Sequence, residues 1–133
     1  MNFKGMTIGV VDERGEISAM DKGIPQNDIG IRTDVIENIS KPLGMKMLVR
    51  SMSPKIIVAD EIGSTDDIQA IEYAVCSGVR GIFTAHGANM EEVRQNPILS
   101  QLVTKQIIDK ILFLDNKRKI QLGYSKEKNR QVV

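Results

Sequence analysis

Hydrophobic and polar positions divide the chain into alternating stretches of two kinds. Met6–Val11, Ile56–Ala59 and Gly81–Thr84 are short apolar runs with no polar alternation. Runs of this kind fit strands buried on both faces, as in a parallel sheet flanked by helices. Elsewhere apolar residues return at helical spacing. Pro42 can open a helix at no hydrogen-bonding cost, Met45, Leu48, Val49 and Met52 form its apolar face, and Ser53-Pro54 ends it. Ser64-Thr65-Asp66-Asp67 supplies the cap and first-turn acids of the next helix. Ile68, Ile71, Ala74 and Val75 line its buried side, and Gly78 is its C′ residue. Further helices are predicted from Asp34, as N-cap, through Val35, Ile36 and Ile39, then over Met90–Gln95 and Ile98–Asp109. Arg14–Thr33, with Gly15, Gly23, Pro25 and Gly30 among polar residues, reads as a long structured loop. Ile111–Leu114 and Lys119–Tyr124 flank the polar turn Asp115-Asn116-Lys117-Arg118 and read as a hairpin, followed by a polar tail from Ser125 expected to fray. Strands alternating with helices predict an α/β domain: a mainly parallel sheet with right-handed crossovers, flanked by helices, with a C-terminal antiparallel hairpin.

The ends of the apolar runs carry the candidate chemistry. Ligands of parallel sheets bind beyond the carboxyl ends of the strands. There the sequence places Asp60-Glu61 after one run and Asp12-Glu13 after another. Two adjacent acids at a strand tip are poor core residues and good groups for holding Mg²⁺ or polarising a water. The run Ile56-Ile57-Val58-Ala59-Asp60-Glu61 matches a Walker B element, in which Asp60 holds Mg²⁺ and Glu61 is a candidate base for an attacking water. Read alone, Asp60-Glu61 is equally compatible with solvated acids at a strand end, and Asp12-Glu13 is better explained as solvated acids at a loop start; two such tips at one level strengthen the functional reading. The third run ends in Thr84-Ala85-His86-Gly87, where the Thr84 hydroxyl and the imidazole of the single histidine are placed to sense a γ-phosphate. Arg32 and Arg50 are candidates to bind phosphate bidentately or to act across a subunit boundary, though a lone arginine is most often a surface residue. Lys117-Arg118-Lys119 is most simply a solvated turn.

Composition narrows the classes. The chain has 133 residues, 41% hydrophobic and 26% charged, with a net charge of +1. This fits one globular domain and argues against a dominant field for nucleic acid or membrane surface. Aromatics at 4% with no Trp give no stacking platform for bases. The lone Cys76 excludes an internal disulfide framework and points to a reducing, cytoplasmic setting. The strand that follows Met1 almost at once suggests a chain that begins inside a longer protein. No Gly-x-x-x-x-Gly-Lys-[Ser/Thr] sequence occurs, so the phosphate-cradling loop that normally accompanies a Walker B strand is not in this sequence.

Taken together, these stretches resemble the stage III sporulation protein AA family, relatives of the type II and type IV secretion ATPases. The resemblance rests on Val10-Val11-Asp12-Glu13-Arg14-Gly15-Glu16-Ile17 and on the stretch from Gly23 to Val35. It continues in Arg50 to Gly63 and Thr84-Ala85-His86-Gly87, in that order, and spans about residues 5 to 124. It implies a RecA-like P-loop NTPase core, here the C-terminal part of the ATPase domain without Walker A, working as a hexameric ring with ATP and Mg²⁺. By that resemblance Asp60-Glu61 is the Walker B pair and Asp12 a further candidate metal ligand. Glu13 lies at the acidic-box position that activates water, His86 belongs to the His box, and Arg32 contacts nucleotide or the neighbouring subunit. Arg50 and Thr84 join the candidate nucleotide-binding residues. The implied partners are further copies of the chain and membrane channel proteins, with no nucleic acid, at a cytoplasmic site peripheral to the membrane.

Two other classes compete. A receiver domain would use Asp12-Glu13, Asp60 as phospho-acceptor, Thr84 and Lys110. Against it, Arg14–Thr33 supplies neither the amphipathic helix nor the second strand that should follow the acidic pair, and Lys110 sits in a helix-like run. A non-catalytic assembly module would use the acids only for subunit contacts.

Overall fold

A computed structural model describes residues 7–13, 20–21, 24–25, 33–37, 39–115, 117 and 119–126. The chain divides into two compact units, Met1–Ala85 and His86–Val133. The first contains β1 (Ile8–Asp12), β2 (Met20–Asp21), β3 (Ile24–Pro25), β4 (Thr33–Glu37), α1 (Lys41–Met52), β5 (Ile56–Ala59), α2 (Thr65–Cys76) and β6 (Arg80–Phe83). Four strands form a parallel sheet in the order β4-β1-β5-β6. The fold is thus the expected α/β arrangement. β1 and β5 are buried along their whole length, as their unbroken apolar sequences require.

Register sorts the core into two faces, because alternate strand residues point to opposite sides. Gly9 and Val11 face α1. A Cβ at Gly9 would lie 2.8 Å from Leu48 Cδ1, and one at Gly44, inside α1, would lie 2.8 Å from Val11 Cγ1. The opposite face carries Ile8, Val10, Ile56 and Val58 with Val35 against them. α1 turns Gly44, Met45, Leu48 and Val49 inward, packs on β1 and lies beside α2, which buries Ile68, Ala70, Ile71 and Ala74. α1 ends at Ser53, in the left-handed region at φ 42°, just before Pro54. Gly78, at φ 85°, turns the chain from α2 toward β6.

Several local expectations need correction. The segment from Asp34 is β4, not a helix. Val35 and Ile36 are β-branched, and pairing of Val35 with Val10 and Ile36 with Val11 outweighs the helical spacing of Ile36 and Ile39. The stretch Arg14–Thr33 is not loop throughout: β2 and β3 pair antiparallel within it, and the rest, apart from Thr33 at the start of β4, lies outside the described residues. The helix expected over Ile98–Asp109 is only α4 (Ser100–Thr104), because Gln106 adopts φ 55° and the amides of Ile107 and Ile108 both donate to the Leu102 carbonyl.

The second unit also holds α3 (Met90–Gln95) and the hairpin of β7 (Lys110–Leu114) with β8 (Ile120–Ser125). Asn89 caps α3 by accepting the Glu92 amide at 3.0 Å, and Asp115 Oδ1 accepts the Lys117 and Lys119 amides to shape the hairpin turn. Ser125, where fraying was expected to begin, is instead the last residue of β8, and residues 127–133 lie outside the described residues. Leu112 opposes Leu122 and Leu114 opposes Ile120, and all four side chains are more than half exposed, an apolar hairpin face. Lys110 opens β7 instead of lying in a helix. A receiver's late lysine belongs at the carboxyl end of a parallel strand, whereas β7 pairs antiparallel with Lys110 at its amino end, so that reading loses its lysine by a different route.

The close approach of α1 to β1 at Gly44 gives a stability test. Gly44→Val should cost about 1–3 kcal/mol by overpacking against Val11 and Ile39, read as a lower urea midpoint. Gly78→Ala, where nothing stands within 4 Å of the new Cβ, should cost only the roughly 1–2 kcal/mol of its left-handed backbone.

Candidate active site

The parallel register brings the acidic strand tips into one row. Val11 pairs with Ala59 and Ala59 with Phe83, so Asp12, Asp60 and Thr84 each stand one residue beyond, on strands about 4.8 Å apart. Asp12 ends β1 fully buried and partnered within the molecule. Asp60 is half-buried at the end of β5, and Glu13 follows β1 as an exposed turn residue.

Glu61 bends the chain sharply after β5. Its φ is +46°, a left-handed conformation that a non-glycine residue adopts only when its surroundings hold it there. Three hydrogen bonds do so. The Glu61 amide donates to Thr84 Oγ1 at 2.9 Å, the Ile62 amide donates to the Thr84 carbonyl at 2.8 Å, and Lys41 Nζ donates to the Glu61 carbonyl at 2.6 Å. The Thr84 hydroxyl, expected at a phosphate, ties the tip of β6 to the tip of β5.

Lys41 extends the bend into a network. Its ammonium also lies 3.7 Å from Glu13 Oε2 and 3.8 Å from Asp67 Oδ2, with the lysine side chain only 12% exposed. Asp67 is buried and closes the α2 capping box. Its Oδ2 accepts the amides of Gly63 and Ser64 at 3.0 and 3.1 Å, while its own amide donates to Ser64 Oγ at 3.1 Å. A cavity of about 710 Å³ opens beside these groups, with Glu13, Lys41, Glu61, Ser64 and Asp67 among its lining. Asp60 does not line it.

The other candidates fall in different places. Arg50 is exposed in the last turn of α1. Nine residues of helix, about 13 Å of rise, separate it from Lys41, so this chain does not bring it to its own acids. Arg32 lies outside the described residues. His86 opens the second unit and is exposed. Among the described residues no three His, Cys, Asp or Glu side chains gather to hold a metal by themselves. The row of carboxylates still suits Mg²⁺, which takes one or two carboxylates together with water and phosphate oxygens.

Sequence reasoning missed Lys41 and the role of Asp67 beyond its cap. A signal for Lys41 existed: it is a cation in the first turn of α1, where the helix dipole disfavours positive charge and no acidic residue offsets it.

The family model for sporulation stage III, protein AA matches residues 1–130. The chain belongs to this family. Among curated proteins, stage III sporulation protein AA of Bacillus subtilis (strain 168) is 38% identical over 113 residues, covering 85% of this chain and 37% of the relative. Among solved structures, the X-ray structure of the Legionella pneumophila ATPase DotB aligns with a TM-score of 0.56 at 13% identity, covering 96% of this chain and 39% of that one. The chain accordingly shares the fold of that structure over nearly all of its own length, and it spans well under half the length of either protein. Among the described residues no helix is long and apolar enough to cross a membrane.

The capping network yields a prediction of its own. Ser64→Ala should remove about 1 kcal/mol of stability. Asp67→Ala should remove more, since a buried carboxylate accepting two amides holds charged hydrogen bonds of about 1.5–3 kcal/mol each. Denaturant titrations should show both as shifted midpoints with unchanged slopes.

Proposed function

We propose that this stage III sporulation AA chain carries the metal-holding and water-activating part of an ATPase site, and that the whole protein hydrolyses ATP to drive assembly or transport through a sporulation-associated membrane channel. The observation that carries this reading is the placement of Asp60, Glu61 and Glu13 at adjacent carboxyl-end tips of a RecA-like parallel sheet, with both glutamates on one cavity. The ATPase named in the matching structure supports it.

In this reading a bound Mg²⁺ would supply charge neutralisation to the phosphates. Asp60 would hold the ion directly or through water, with Asp12 on the neighbouring strand as a further candidate ligand. Glu13 or Glu61 orients the attacking water and takes its proton as the oxygen bonds to the γ-phosphorus and the bond to the ADP oxygen breaks. Thr84 and His86 follow β6 as sensors of the γ-phosphate. Arg50, exposed away from its own acids, serves a neighbouring copy in a hexameric ring, with Arg32 as the second such candidate. The ring sits in the cytoplasm, peripheral to the membrane, against channel proteins and not nucleic acid.

The apolar hairpin face of Leu112, Leu114, Ile120 and Leu122 favours a second reading, an assembly module whose chief task is contact with another chain. Calorimetry with Mg·ATP separates the two, using this chain and a chain joined upstream to a glycine-rich phosphate loop. The ATPase reading expects binding by the joined chain alone, with Glu13→Gln or Glu61→Gln lowering turnover by roughly 100-fold or more while binding persists. No binding by either chain would move the assembly reading to the front.

A further inference from the structure

Lys41 occupies a position that its own helix opposes. It opens α1, where the unbonded amides and the helix dipole present positive potential, and no acid stands in that first turn. Its side chain is nearly nine-tenths buried, so water does little to offset the charge. An uncharged residue would fit a purely structural role at this place better. What stabilises the ammonium is a set of acceptors from three different segments: the Glu61 carbonyl at 2.6 Å, Glu13 at 3.7 Å and Asp67 at 3.8 Å.

The distances assign these partners different roles. The bond to Glu61 is direct and fixes the main chain at the left-handed bend. The separations to the two carboxylates are too long for direct hydrogen bonds; they are charge attractions. Asp67 is anchored independently by the amides of Gly63 and Ser64, so it holds the ammonium in place. The Glu13 side chain, by contrast, is 42% exposed. The ammonium therefore draws Glu13 toward the Glu61 bend without occupying the carboxylate at hydrogen-bond range.

We infer that Lys41 is a positioning residue: held by Asp67 and the Glu61 carbonyl, it sets the Glu13 carboxylate over the Glu61 bend for the attacking water, and does not itself touch nucleotide. This rests on the ATPase reading above. Charge and length both matter here, so arginine retains part of the function and a neutral side chain of similar length does not.

The test uses the chain joined to its phosphate loop, with ATP turnover followed in Lys41→Met, Lys41→Arg, Glu13→Gln and the double variant of Lys41→Met with Glu13→Gln. Lys41→Met should lower kcat roughly 10- to 100-fold, with KM for ATP changed by no more than about twofold. Lys41→Arg should recover part of the loss, and the double variant should be no slower than Glu13→Gln alone, since the two residues act as one unit. If Lys41→Met does not fold, Lys41→Gln keeps a donor for the Glu61 carbonyl, removes the charge and carries the same expectation. A full kcat in the neutral variant, a KM that rises in step with the loss, or additive effects of the two substitutions would overturn the inference. Failure of the underlying reading looks different: the unsubstituted protein would not hydrolyse ATP, or Glu13→Gln and Glu61→Gln would both leave turnover intact.

Discussion

The left-handed bend at Glu61 is the constraint on which the strand-tip geometry depends. A parallel sheet delivers its strands to one edge, but the main chain must then leave each strand toward a helix. At the end of β5 it does so through a residue with φ +46°, a conformation that costs energy for any side chain bearing a Cβ. Thr84, from the neighbouring strand, holds the amide side of the bend, and Lys41, from a helix on one face of the sheet, holds the carbonyl side. The bend therefore exists only when β5, β6 and α1 are all in place. Local strain is offset by tertiary contacts, and the position of the Glu61 carboxylate becomes a property of the folded sheet and not of its own strand.

The same economy applies to charge. Glu13 and Asp67, together with Glu61, put several acids beside one cavity, and mutual repulsion would tend to spread them. The first turns of α1 and α2 answer this from two sides: the amides of Gly63 and Ser64, just before α2, bind Asp67, and α1 contributes the Lys41 ammonium. Asp12 is handled separately, at the end of the apolar face of β1 where Ile8 and Val10 lie. The pairs Asp12-Glu13 and Asp60-Glu61, alike in sequence, are thus split between different surroundings: one acid of each pair continues its strand and the other turns toward the cavity.

Much of this was legible in the sequence. Unbroken apolar runs marked β1 and β5, and the acids following them marked the edge where ligands bind, because burial on both faces leaves little choice for Val10-Val11 or Ile56-Ile57-Val58. β4 was not legible, since Asp34 with Ile36 and Ile39 satisfies a helical pattern locally and only pairing with Val10 and Val11 decides otherwise. The bend at Glu61 was hidden for a related reason: its determinants, Lys41 and Thr84, are 20 and 23 residues away in the chain. Thr84 stood among the candidates for its hydroxyl, and its place as a clamp on Glu61 follows only from strand order.

Lys41 shows where such readings fail and how they can be improved. Patterns of caps and dipoles are usually applied to find helices, and residues that break them are passed over as tolerated exceptions. A buried cation at a helix N-terminus is too costly to be an exception without compensation. The compensation, once located, lies on Glu13 beyond the tip of β1, on Asp67 in α2 and on the Glu61 carbonyl beyond the tip of β5. A residue that violates its local rule thus points to the long-range partner that offsets the violation, and in an α/β sheet that partner is found at the carboxyl edge, where the chemistry is also expected.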